Sequence, residues 1–177
     1  MIFTLVGMPG SGKSCMGRAL ASKMKIKLID SDKLIEKNQG KKLQTLIDEL
    51  GVEEFRRIEE ETLLSIDTEE DAILSTGGSA IYSTRAMEYL KTKGKIIYLY
   101  CSFPTIEERI GDYSARGIVF KPGQDLYGLY LERVPLYERF ADLTVFCDGK
   151  AYPKYQAAAI KMINKARGVN IIKKDAD

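Results

Sequence analysis

Short apolar runs alternate along the chain with longer stretches in which apolar positions return every three or four residues. The runs fall at 2–6, 27–29, 72–75, 95–100 and 143–146. Each is too short for a stable helix and reads as a strand, the first of them buried. Helical patterns lie between them, best at 14–23, 52–66, 105–113, 126–141 and 151–167. Strands that alternate with helices predict a five-stranded parallel sheet covered on both faces, a three-layer α/β/α architecture. No repeat, low-complexity tract or linker interrupts the pattern. A single domain over 1–177 is expected, with a polar tail from about 168 that frays at its end.

Composition changes this picture little. A chain of 177 residues with 45% hydrophobic content suits one domain with a real core. A net charge of +2 gives no broad basic field for nucleic acid. No apolar run is long enough to span a bilayer, and no signal-peptide pattern precedes the first strand. Cys15, Cys101 and Cys147 are too widely spaced for a disulfide framework or a zinc site, so a reduced cytoplasm is the simplest setting. Histidine is absent, which leaves a carboxylate, lysine, tyrosine or cysteine as any general base.

The candidate chemistry begins at Gly7-Met8-Pro9-Gly10-Ser11-Gly12-Lys13-Ser14. It satisfies the phosphate-loop template G-x-x-x-x-G-K-[ST], and it lies between a strand and a helix, as that template requires. The backbone N–H groups around Gly10, Ser11 and Gly12 would turn toward phosphate oxygens at a helix N-terminus. Lys13 would reach the outer phosphates and Ser14 would offer its hydroxyl to Mg²⁺. A tight glycine turn beside a surface lysine is the plainer alternative.

Four further stretches stand at strand ends or on charged helices. Asp30-Ser31-Asp32 follows the second strand, at the sheet edge where open α/β folds bind ligands. Asp30 could hold a metal-bound water and Asp32 could take a proton from a hydroxyl; a helix N-cap is the alternative. In Phe55-Arg56-Arg57-Ile58-Glu59, Phe55 and Ile58 face a core and Arg56 can pair with Glu59. An arginine so paired could clamp a carboxylate. Gly77-Gly78 ends the third strand and allows backbone to approach a ligand closely, or simply turns the chain. The segment 111–125 is long and glycine-bearing, with Arg116 at its middle and Ile118-Val119-Phe120 after it. It reads as a lid whose apolar run shuts over the acceptor, with a core strand as the alternative for 118–120. Arg133 then stands two residues before Pro135, where a kink or break is expected; a surface arginine is the plainer reading.

In this order and spacing the motifs resemble the shikimate kinase family, within the nucleoside-monophosphate-kinase-like phosphate-loop group. The resemblance spans about 2–153 and rests on GMPGSGKS, DSD, FRRIE, GG and ERVPLY. It implies ATP-dependent phosphorylation of shikimate with Mg²⁺. Lys13, Asp32 and Arg116 would be catalytic. Gly10, Ser11, Gly12, Lys13, Ser14, Arg109 and Arg116 would bind ATP. Asp32, Arg56, Gly77, Gly78 and Arg133 would bind shikimate, with Glu59 positioning Arg56. Ser14 would meet the metal, and Asp30 would reach it through water. Partners beyond ATP and shikimate are not expected, whether nucleic acid or membrane, and the chain is expected to be a cytoplasmic monomer. Two departures stand out. Ser79 occupies the place of the family's usual third glycine, and Gly117-Ile118 replaces the Pro-Leu that usually follows the lid arginine. A kinase of another hydroxy acid, such as gluconate, and a regulatory nucleotide-binding module are the competing readings.

Overall fold

A computed structural model describes residues 1–111, 118–149 and 151–168. The chain runs β1 (Ile2–Val6), α1 (Lys13–Met24), β2 (Lys27–Asp30), α2 (Ser31–Gln39), α3 (Leu43–Leu50), α4 (Val52–Leu64) and β3 (Ala72–Ser75). A 3₁₀ turn (Ala80–Tyr82) follows, then α5 (Thr84–Lys93), β4 (Gly94–Tyr100), α6 (Phe103–Ile110), α7 (Leu126–Phe140), β5 (Leu143–Phe146) and α8 (Tyr152–Ala166). The strands form one parallel sheet in the order β2-β3-β1-β4-β5.

β1 is central and buried at every position. A strand covered on both faces has no polar side to present, which is why its sequence, Thr4 apart, is an apolar run rather than an alternation. Helices complete the three layers. α1 packs on β3 and against α8, and α5 and α7 lie on β4. The register brings the ends of three strands level, with Leu5 beside Ser75 and Ser75 beside Asp30. The phosphate loop, the Asp30–Asp32 stretch and the Gly77-Gly78 turn therefore leave the sheet at one edge, where the strand order reverses around β1.

The strands fall where the apolar runs place them, to within one residue. The helices depart further. α2, α3 and α5 add to the expected set, and α6 starts two residues before the expected 105. α2, α3 and α4 share a second small core of Ile35, Leu46, Phe55 and Ile58. Pro135 does not break its helix: α7 continues through it. Proline removes one hydrogen bond to the carbonyl four residues back, and Leu131 there is on the exposed side, where water can serve that carbonyl. Residues 118–120 form no strand. Ile118 and Phe120 instead pack on the main core from the loop before α7. Arg116, the rest of 112–117, Lys150 and the tail from 169 lie outside the described residues.

Candidate active site

On the nucleotide side, one continuous stretch builds the site. Gly12 is the N-cap of α1 at φ 92°, a left-handed conformation that a side chain resists. That conformation turns the loop so that the first N–H groups of α1 face outward. Lys13 is 8% exposed, and its Nζ donates to the carbonyls of Gly7 (2.7 Å) and Met8 (2.9 Å). Burial brings its pKa down to about 8; the Asp32 carboxylate opposes this and the Arg133 charge adds to it. Ser14 is exposed at the loop mouth. Arg109 closes the far wall. Its Nη2 donates to the carbonyls of Cys147 (2.7 Å) and Gly149 (3.0 Å), and its Nη1 lies 3.3 Å from the Cys101 sulfur. A side cavity of about 410 Å³ runs between Gly12, Arg109, Gly149 and Tyr152.

On the acceptor side, the residues come from separate elements. Asp30 ends β2 and caps α2, its Oδ1 accepting from the Lys33 amide at 3.2 Å. Asp32 lies in the first turn of α2. Burial and then the Asp30 carboxylate push its pKa up to about 6, against the pull of Lys13. Gly77 is needed for close approach. A Cβ there would sit 2.6 Å from Glu59 Oε1 and 2.8 Å from Asp32 Oδ1. The glycine thus lets two carboxylates meet its backbone, a contact that any side chain would prevent.

Arg133 is 2% exposed, not a surface residue. Its Nε donates to the Tyr82 hydroxyl (3.2 Å), and its Nη1 lies 3.0 Å from where a Cβ on Gly78 would stand. Tyr137, from the same ERVPLY stretch, donates its hydroxyl to the Gly78 carbonyl at 2.8 Å and so ties α7 to the glycine turn.

The expected pair of Arg56 and Glu59 does not form. Arg56 Nη1 donates to Glu53 Oε1 at 3.3 Å, one turn earlier on the same helix. Glu59 is 2% exposed, and its Oε2 accepts from the Ser79 hydroxyl at 2.8 Å. Its Oε1 is buried with no hydrogen-bond partner among the described residues. Burial raises its pKa to about 7, and the Ser79 hydrogen bond opposes the rise. Ser79 therefore takes the oxygen that an arginine was expected to hold. Its own φ of −86° shows that this backbone position makes no demand for glycine.

Lys13, Asp32, Glu59, Gly77, Gly78 and Arg133 line one cleft of about 530 Å³, which Ser14 and Arg109 share. Arg56 and Asp30 are not on its wall. Two contacts were not foreseen in the sequence. Tyr82 lies under the guanidinium groups of both Arg56 and Arg133, and Ser79 holds Glu59. An aromatic residue four positions after a glycine pair is the only signal Tyr82 leaves in the sequence.

The likeness to known proteins covers the same ground. A family model described as shikimate kinase matches residues 9–165. The shikimate kinase of Sulfurihydrogenibium sp. (strain YO3AOP1) is 33% identical over 146 residues, spanning 82% of this chain and 87% of that protein. The shikimate kinase of Mycobacterium avium (strain 104) is 37% identical over 143 residues, spanning 80% and 81%. The structure of the shikimate kinase from Acinetobacter baumannii in complex with shikimate matches with a TM-score of 0.82 at 29% identity, over 96% of this chain and 94% of that one. Sequence and backbone agree over most of the length, and the chain belongs to the shikimate kinase family.

Proposed function

We propose that this chain transfers the outer phosphoryl group of ATP to a hydroxyl of shikimate, forming shikimate 3-phosphate. One observation carries the reading. The phosphate-loop lysine, the half-buried Asp32 carboxylate and the buried Arg133 open into a single cleft. A nucleotide switch has no use for the last two; a kinase of a small hydroxy acid needs both.

Phosphoryl transfer asks the protein mainly for positioning and for charge at the moving group. The loop amides and Lys13 receive the phosphates. Asp32 faces the acceptor with a pKa of about 6, so at neutral pH it is ionised and accepts the hydroxyl proton. Arg133 meets the acceptor's carboxylate, and the glycine turn brings backbone to the ring. Glu59 Oε1, buried and unpartnered, is an acceptor atom facing the same turn.

Magnesium fits this arrangement through the nucleotide. Among the described residues no group of three or more acidic or cysteine side chains could cage an ion. Phosphate oxygens, the exposed Ser14 hydroxyl and water would hold it, with Asp30 beyond the water shell. Bound there, it would neutralise phosphate charge. The chain is taken to act as a monomer in a reducing cytoplasm. Its three cysteines are free, which suits that compartment. No helix among the described residues is long and apolar enough to cross a membrane.

The test is ADP release measured with ATP and magnesium against shikimate, gluconate and no acceptor. Release that depends on shikimate is expected. Equal release without an acceptor, or a preference for gluconate, would overturn the assignment.

A further inference from the structure

We propose that the Tyr82 ring is a positioning residue of the carboxylate clamp, holding the Arg56 guanidinium beside that of Arg133. The proposal rests on the acceptor being a carboxylate, as read above. Arg56 lacks the partner expected to aim it. It does not reach Glu59, and among the described residues its one ion pair is to the largely exposed Glu53, which directs nothing toward the cleft. The Tyr82 ring supplies the missing contact. Arg56 Cζ lies 4.6 Å from its centroid and Arg133 Cζ lies 5.1 Å from it. Both distances are within the range at which the negative face of a phenol ring attracts a cation. Two guanidinium groups brought together repel each other, and a ring shared between them offsets part of that repulsion without supplying a carboxylate. A carboxylate in that place would compete with the substrate's own.

The ring is itself held in place. Tyr82 donates its hydroxyl to Glu132 Oε1 at 2.7 Å and accepts from Arg133 Nε at 3.2 Å. Glu132 Oε2 accepts from Lys121 Nζ and Gln124 Nε2, both at 2.8 Å. Glu132 is therefore fully engaged and stays ionised, its pKa drawn down to about 2 first by Lys121 and then by Tyr82. It orients the ring and is not available to neutralise either arginine.

The experiment compares the binding and turnover of shikimate with those of its primary amide, which keeps the shape and loses the charge, in wild type, Tyr82→Leu and Tyr82→Phe. Tyr82→Leu is expected to weaken shikimate about 10-fold in Kd and KM, with kcat within about 3-fold. The amide is expected to weaken by no more than about 2-fold, because it makes no charge-assisted contact. Tyr82→Phe keeps the ring and loses its hydroxyl contacts, so its shikimate Kd should fall between those of wild type and Tyr82→Leu. Equal weakening of acid and amide in Tyr82→Leu would mean that the residue only shapes the pocket, and would overturn the proposal. So would an unchanged shikimate Kd, or a Tyr82→Phe defect as large as that of Tyr82→Leu. A wild type that binds acid and amide alike would instead overturn the carboxylate reading itself, and this proposal with it.

Discussion

The two halves of the cleft are built by different means. The nucleotide half is one uninterrupted piece, strand end, loop and helix start, and its ligand-facing groups are mostly backbone. The acceptor half is assembled from α2, α4, the glycine turn and α7, and its working groups are buried side-chain charges. A backbone site is fixed once the loop conformation is fixed. A side-chain site depends on which of several nearby partners each charge chooses. The switch of Glu59 from Arg56 to Ser79 is such a choice. The nucleotide half should thus respond to mutation in an all-or-none way, and the acceptor half by degrees.

The largest effect should come from Lys13→Ala. It removes the buried ammonium held inside the phosphate loop, and turnover should fall by about 10³-fold or more. Near-normal activity would break the comparison at its stronger half. Asp32→Asn should lower kcat by about 10²-fold, at the low end for a general base, because the hydroxyl proton leaves late in a loose transition state. ATP affinity, measured by titration, should hardly change.

Arg133→Ala should weaken shikimate by about 10²-fold and Arg56→Ala by about 10-fold. The order follows from position. Arg133 is 2% exposed and lines the cleft, whereas the Arg56 side chain is 31% exposed and does not. Equal losses in the two variants would show that Arg56 moves fully into the cleft when the acceptor binds.

The pH profile sharpens the comparison further. kcat/KM for shikimate should rise as Asp32 and Glu59, at about 6 and about 7, lose their protons. kcat/KM for ATP should fall above about 8 as Lys13 of the nucleotide-free protein loses its charge. In Asp32→Asn the acid limb should keep only the Glu59 step. The smallest effect concerns stability. The pKa of Glu59 lies near 7 in the fold, against an ordinary 4.5. The folded chain then holds a proton that the unfolded chain has released, and stability is lost as pH rises between those values. The Tm of wild type should fall between pH 5 and 8 by about 5 °C more than that of Glu59→Gln.

The same contrast explains how much could be read from the sequence. The phosphate loop is local, so its template and its flanking pattern were sufficient. β1, β3 and the middle of β4 were legible because burial on both faces leaves an almost unbroken apolar run. α5 was overlooked although it carries a signal: Ser83 accepts from the Ala86 amide as an N-cap, ahead of buried Ala86, Met87 and Leu90. α3 carries a signal too: Leu43, Leu46, Ile47 and Leu50 fall at i, i+3, i+4 and i+7, the spacing of one helix face. In the acceptor half, the motifs identified Asp32, Gly77, Gly78 and Arg133, and the structure gathers all four. Spacing along α4 could not say that Arg56 would pair backward to Glu53, because that depends on Ser79, twenty residues beyond Glu59. Tyr82 was invisible for the same reason. Its role arises from where α4 and α7 carry their arginines.

The most direct test of the account is to follow phosphorus by ³¹P NMR as the wild-type chain consumes ATP and magnesium with shikimate present. A phosphate-ester signal that grows in step with ADP and is absent without shikimate is the predicted result. ADP accompanied only by inorganic phosphate would contradict it, since the cleft would then activate water and the acceptor half would have no substrate.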